Sequence, residues 1–327
     1  MIEHETLLVT LVKLVSRIPV PPPPVTRGRG RPRTYPDRLF LQALVIMIVR
    51  HLHTIHGLLS VLAQPTVEMH TLRSLLTVDG RFPARRTWER RLQAIPATLP
   101  AQIGCLGRAL VALVQPWARC GRAAAIDSTI LQARGDVWHK QDRDAGTVPH
   151  TAIDTDAHWT KSGWHGWVYG WKLHVVTTVA AVWIPLAAEL TPANIADNTS
   201  ALTLLPELPA EVRYVLGDQH DNDPTIDAAC ADSGWTVVAT QRGPYPHTDA
   251  GVAVRRILHE LRSHAIENLN EQFKGIFDAH GQVPTKGWVN TRRFALGAVF
   301  VYQLTLWYRH EHGLDLRAGL KPFLKAA

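Results

Sequence analysis

The apolar positions of this chain recur with a helical period up to about residue 121 and in short strand-like runs beyond it. Leu7, Leu8, Leu11, Leu14 and Val15 share one face of a helix expected over 2–19. Leu39, Leu41, Leu44, Val45, Ile48 and Leu52 keep that spacing, which predicts one helix from Tyr35 to about Gln64. Two short helices are expected within 68–96, on either side of a turn at 78–83, the second with Thr87 as its N-cap. Another is expected over 101–117. Past Gly121 the pattern predicts strands at 123–128, 171–181, 182–190, 212–217 and 235–240, the second and third forming a hairpin. Helices are expected at 197–205, 224–233, 252–278 and 293–310, and 132–166 reads as a long loop rich in Trp, His and Asp.

Three strands followed by helix, strand, helix, strand and helix predict an α/β domain. Its layout resembles RNase H: a mixed five-stranded sheet flanked by helices, here over residues 121–327. The helices of 1–120 form an all-α domain before it. Two of the apolar runs end on an acid. Ala123-Ala-Ala-Ile126 leads to Asp127, and Val212-Arg-Tyr-Val-Leu-Gly leads to Asp218. A strand that leaves the core on a carboxylate is a rigid mount for charge; the plainer use of such an Asp is to open a turn. If the first and fourth strands are parallel neighbours, the two carboxylates meet at one edge. The long helix adds Glu260, Glu267 and Glu271, all opposite its apolar stripe of Leu258, Ala265, Leu269, Phe273 and Ile276, so periodicity does not choose between them.

Charge sharpens this picture. The chain carries a net +7, but residues 1–122 hold 17 Lys or Arg against 6 Asp or Glu, and the remainder 18 against 22. A basic front half points to a polyanion partner. All but one of those front-half cations are Arg, whose planar fork suits phosphate and base edges. After the Pro21–Pro24 spacer, Arg29-Gly-Arg31-Pro resembles an AT-hook, an extended segment that lies in the narrow minor groove of A·T-rich DNA. Arg85, Arg86, Arg90 and Arg91 surround Trp88 on the helix after a tight turn, the arrangement of a helix-turn-helix reader. Three scattered cysteines and no C-x-x-C pair exclude a disulfide framework and a Cys zinc site. The longest apolar run, 39–49, is too short for a membrane span, which needs about 20 residues. A cytoplasmic, nucleoid-associated bacterial protein without a membrane is expected.

Asp127-Ser-Thr, Leu216-Gly-Asp218 and Ala265-Ile-Glu267-Asn-Leu-Asn-Glu-Gln-Phe-Lys274 together resemble the three signature blocks of the DDE transposases of bacterial insertion sequences. The similarity is to the clan containing insertion-sequence families four and five, and it covers most of residues 120–310. It implies that Asp127, Asp218 and Glu267 are catalytic and hold two Mg²⁺ ions, with Mn²⁺ able to substitute. Hard cations take carboxylate oxygens, and a pair of ions serves both the attacking and the leaving oxygen of a phosphodiester. The resemblance also selects Glu267 over its helix neighbours, because Lys274 stands at the family's spacing for a phosphate-binding Lys. Gly170-Trp-Lys172-Leu-His174 is similar to the block that opens the family's second strand, which makes Lys172 a candidate DNA contact. There are departures. Relatives carry a Tyr seven residues and an Arg four residues before the Glu, where this chain has Glu260 and Ser263, with Arg262 one position away as the candidate DNA-gripping residue. Asp221 and Asp223 follow Asp218 as loop residues, and Trp164 and Trp167 are candidates to stack on an extruded base.

The resemblance therefore implies a transposase. Residues 1–120 would bind the terminal inverted repeats of a double-stranded DNA element, as a homodimer, and the carboxylates would cleave its ends and join them to target DNA. The alternatives are a repurposed, inactive transposase acting as a DNA-binding regulator, and a stand-alone RNase H-like nuclease that cuts without joining.

Overall fold

The computed structural model describes residues 6–22, 34–117, 122–163, 166–180, 182–218, 223–239, 249–277 and 281–325. Arg29, Arg31, Trp164, Asp221 and the boundary at Gly121 lie outside the described residues.

The front is helical: α1 (Leu7–Leu14), α2 (Asp37–Val49), α3 (Ile55–Leu62), α4 (Val67–Leu75), α5 (Arg85–Ala94) and α6 (Leu99–Val114). Thr6, Thr54 and Thr66 cap α1, α3 and α4 through their side chains. The single helix expected over 35–64 is broken. His51 takes a left-handed φ of 51° and Thr54 starts a new helix, so the apolar spacing runs across a turn. Helix α5 begins after Ala84 rather than at Thr87, so Arg85 and Arg86 occupy its first turn.

The sheet follows: β1 (Ala123–Gln132), α7 (Lys140–Asp144), β2 (His158–Ser162), β3 (Gly166–Thr178), β4 (Pro185–Pro192), α8 (Asp197–Leu204), β5 (Tyr214–Gly217), α9 (Pro224–Asp232), β6 (Thr236–Ala239), α10 (Asp249–Phe277), α11 (Trp288–Glu311) and α12 (Leu320–Lys325). The expected five strands are present, and β2 makes a sixth. It falls inside the segment expected to be a loop, and pairs antiparallel with the start of β3. The remaining strands run β4-β3-β1-β5-β6, with β1, β5 and β6 parallel and β3 antiparallel to both neighbours. This is the RNase H-like order. Gly170 is needed where β3 crosses β1, since a Cβ there would lie 2.1 Å from the Leu131 carbonyl oxygen.

One hydrophobic core runs through both halves. Helix α11 buries 16 residues and touches α1, α2 and α6 as well as β4. Gln303 on α11 donates to the carbonyls of Ile103 on α6 and Pro185 on β4, at 2.9 and 2.8 Å. Helix α6 lies so close on β4 that a Cβ on Gly107 would sit 2.3 Å from the Pro185 carbonyl oxygen. The change of pattern near residue 121 thus marks where helices give way to strands inside a shared core. It does not mark a gap between two cores. A smaller cluster of Ala123, Ala125, Val179, Leu216, Ala265 and Ile266 seats α10 on the opposite face of the sheet.

Candidate active site

Strand alternation sends consecutive side chains of β1 to opposite faces of the sheet. Ala123 and Ala125 face α10, so Asp127 does too; Ala124 and Ile126 face the main core, and Ser128 follows them. Parallel pairing sets Ala123 against Tyr214 and Ala125 against Leu216. Two residues further in that register, Asp127 comes level with Asp218, just past the end of β5. Asp218 is close enough for its charge to act on Asp127. Strands β1 and β5 are thus the parallel neighbours expected, and the Asp218 charge reaches Asp127.

Asp127 is a partly covered carboxyl with three kinds of neighbour. Its Oδ1 accepts the Ser128 N–H at 2.8 Å. Its Oδ2 faces the Arg262 guanidinium at 3.4 Å, with Arg262 buried and its Nε lacking a hydrogen-bond partner among the described residues. Burial pushes the Asp127 carboxyl up to about 6; Arg262 and the Ser128 N–H pull it down, and Asp218 and Asp197 add to the rise. A partly covered carboxylate beside a second one supplies the oxygen donors that a hard divalent cation takes. The third expected member is not beside them. Arg262, Ala265, Ile266, Leu269 and Phe273 form the buried face of α10, and Glu267 is exposed, as are Glu260, Glu271 and Lys274. Five residues carry Glu267 roughly 140° around the helix from Arg262. Among the described residues no group of three His, Cys, Asp or Glu stands close enough to hold a metal.

Two candidate DNA contacts are turned inward. Arg262, the expected DNA grip, instead pairs with Asp127. Lys172 is buried, and its Nζ donates to both oxygens of Asp197, at 3.2 and 3.1 Å, and to the Ile195 carbonyl. His174 is also buried: its Nε2 meets Thr191 Oγ1 at 2.8 Å and Ser200 Oγ at 3.1 Å. Asp197 is a residue that sequence reasoning misses as part of this group. It occupies the first position of α8, after Ala196, and joins Ser128, Lys172 and His174. The one sequence signal for this role is its place at a helix start, where acids are favoured in any case. Asp223 caps α9 through Thr225 and holds Asn198, which occupies it structurally.

On the front half, Arg85, Arg86 and Arg90 are exposed on α5, Arg85 paired with Glu89. Arg91 differs: it pairs with Asp37 and lies over the Phe40 ring at 4.7 Å, so it serves the packing of α5 on α2. Trp88 is fully buried between Phe40 and Phe82, and Trp167 at the start of β3 is 67% exposed.

Residues 118–302, more than half the chain and spanning β1 to most of α11, match the family described as transposase DDE domain. The chain belongs to that family. As a DDE-domain transposase it falls in a class of enzymes that cleave and transfer DNA. No curated protein matches it. Among solved structures, the cryo-EM piggyBac transposase synaptic complex with hairpin DNA is similar at 10% identity and a TM-score of 0.42, covering 97% of this chain and 76% of that one. The Mos1 transposase paired-end complex with left transposon end is similar at 14% identity and a TM-score of 0.23, covering 79% and 82%.

Proposed function

We propose that this transposase binds the ends of its element through the helical front, cleaves them, and joins the freed 3′-hydroxyl to target DNA. The observation that carries the reading is the parallel register of β1 and β5, which continued by two residues brings Asp127 level with Asp218, whose charge acts on it. The carboxylates would hold divalent metal, Mg²⁺ in this reading with Mn²⁺ as substitute. A pair of such ions, when bound, offsets phosphate charge and activates the attacking oxygen. Asp127 is a donor from the middle of β1, where pairing with β5 has stopped, and Asp218 one from just past the end of β5. Glu267, proposed as the third donor on the family's signature, lies on the same helix as Arg262, and α10 must rearrange to bring it in. In doing so it takes Arg262 off Asp127 and frees that oxygen. Water oxygen attacks the phosphorus, and the strand's 3′-oxygen leaves and takes up a proton. That hydroxyl then attacks a target phosphate, whose own 3′-oxygen leaves.

Arg85, Arg86 and Arg90 are proposed to grip the ends, and Lys274 a backbone phosphate near the cut. Two copies, one on each end, and an assembly at the nucleoid follow from the same reading. Asp127→Ala and Asp218→Ala should abolish cleavage and joining in Mg²⁺ or Mn²⁺ while DNA binding is kept. The triple change R85A/R86A/R90A should weaken binding and lower its salt slope by about 3, one for each phosphate no longer neutralised. Full joining activity in Asp127→Ala would sink the assignment.

A second reading rests on the distance of Glu267 from the two aspartates. It holds the protein to be a DNA-binding regulator without chemistry. Specific binding with no cleavage under any divalent metal in the unaltered protein would favour it. Hydrolysis without joining, given a substrate with a free 3′-hydroxyl, would favour a nuclease.

A further inference from the structure

The polar group on the other face of β1 has no part in the chemistry above. Ser128 Oγ donates to Asp197 Oδ1 at 2.7 Å. Lys172 holds both Asp197 oxygens. His174 Nδ1 stands 3.5 Å from Asp197 Oδ1, and His174 is the cross-strand partner of Ser128. These contacts come from three separate stretches, β1, β3 and the start of α8, and they meet at the middle of β1, one residue past Asp127. The neighbourhood explains why something is needed there. Paired residues between β1 and β5 stop at Ala125 and Leu216, so Asp127 and Ser128 keep strand pairing on the β3 side alone.

We propose that Asp197 is a positioning residue for Asp127, acting through Ser128. This rests on the reading that Asp127 is a metal-holding carboxylate. The Asp127 carboxylate takes its pose from the Ser128 N–H that it accepts at 2.8 Å. That N–H moves with the Ser128 backbone, and the Ser128 side chain is tied to Asp197. Asp197 in turn is fixed by Lys172, a buried cation with both of its oxygens in reach. The Lys172 charge offsets that of Asp197, so Asp197 anchors the strand at Ser128 without competing for the cation. A carboxylate whose supporting shell is removed keeps its chemistry and loses its aim.

The test uses the full chain with Mn²⁺ alone as the probe, its binding followed by electron spin resonance of the free ion, and stability followed by urea unfolding. Ser128→Ala removes the hydroxyl but leaves the Asp197–Lys172 pair whole. It should weaken Mn²⁺ binding by about tenfold, as for supporting groups of metal ligands, with the unfolding midpoint close to that of the parent. Ser128→Thr, which keeps a hydroxyl, should restore binding. The double change D197A/K172M removes the pair and the acceptor of the Ser128 hydroxyl without stranding a buried charge, and should weaken binding as much as Ser128→Ala. Adding S128A to it should weaken binding no further, because all three break one link. Parent-like Mn²⁺ binding in Ser128→Ala, when Asp127→Ala has lost it, overturns the inference. Additive losses that follow the fall in stability also overturn it, since they describe packing alone. Parent-like binding in Asp127→Ala strikes the site reading itself and removes the ground of this inference with it.

Discussion

The middle of β1, at Asp127 and Ser128, lies between two unlike neighbours. On the α8 side, Ser128, Lys172, His174 and Asp197 hold one another by hydrogen bonds and charge, all from elements fixed in the main core. On the α10 side, Asp127 faces Arg262, whose buried Nε has no hydrogen-bond partner among the described residues. The seat of α10 there includes Ala123, Ala125 and Ala265, each of which gains less than about 1 kcal/mol from burying its methyl group. The far half of α10 is held better, with Phe273 in the main core edge-on to Tyr302 at 5.7 Å. One face of the strand is a mount, and the other is a surface built to change its contacts. The face with fewer satisfied groups is the one that carries the proposed chemistry, as expected where stability is given up for function.

The largest effect should separate two glutamates of α10. Glu267→Ala is expected to lower joining of a labelled 3′-end to plasmid by ~10³-fold, the scale of removing a group that stabilises charge in the transition state. Glu260→Ala, on the same exposed side and paired with Arg256, should leave it near the parent value. Equal losses would mean that α10 does not turn Glu267 into the site. The next effect contrasts the two cations. Lys172→Met strands the Asp197 carboxylate, and because Asp197 is 34% exposed the cost should be about 2 kcal/mol, below that of a fully buried broken pair. Arg262→Met should cost about 0.5 kcal/mol, since its pairing is long and Asp127 can take a proton. Urea unfolding reads both. A loss at Arg262 as large as that at Lys172 would remove the contrast between the faces.

The same contrast explains what is legible in the sequence. Asp127 and Asp218 stand out because each ends an apolar run, and their adjacency needs only the order of strands. The hairpin of β3 and β4 is visible for the same reason. Strand β2 is not, because His158–Ser162 is polar and partly exposed and offers no buried face to reveal its period. The break between α2 and α3 is hidden because apolar residues continue on both sides of His51. The Ser128–Asp197–Lys172 link is out of reach, since its partners lie 69 and 25 residues apart and each alone looks like an ordinary polar residue. Lys172 and Arg262 look like outward cations because nothing local shows that each has a carboxylate waiting inside.

The smallest effect is also the most direct comparison of the two faces, because each holds one strongly shifted group and the shifts oppose each other. Burial holds His174 down to about 4, against the pull of Asp197 and with a smaller push from Lys172. Its folded form releases a proton that the unfolded chain keeps, so the stability it confers is present above about 6.5 and lost as pH falls toward 4. Asp127 runs the other way. Raised to about 6, it binds a proton in the folded state that the unfolded chain gives up, so stability is gained as pH falls from about 6 toward 4. Each shift of about two units corresponds to at most about 3 kcal/mol, and over pH 4–6 the two largely cancel. Asp127→Asn removes only the α10-side group. Its melting temperature, measured with chelator present, should match or exceed the parent's at pH 7 and fall more steeply on acidification below 6. Parallel curves for the two proteins would show that Asp127 adds no pH dependence of its own, and the division into mount and working surface would lose its electrostatic basis.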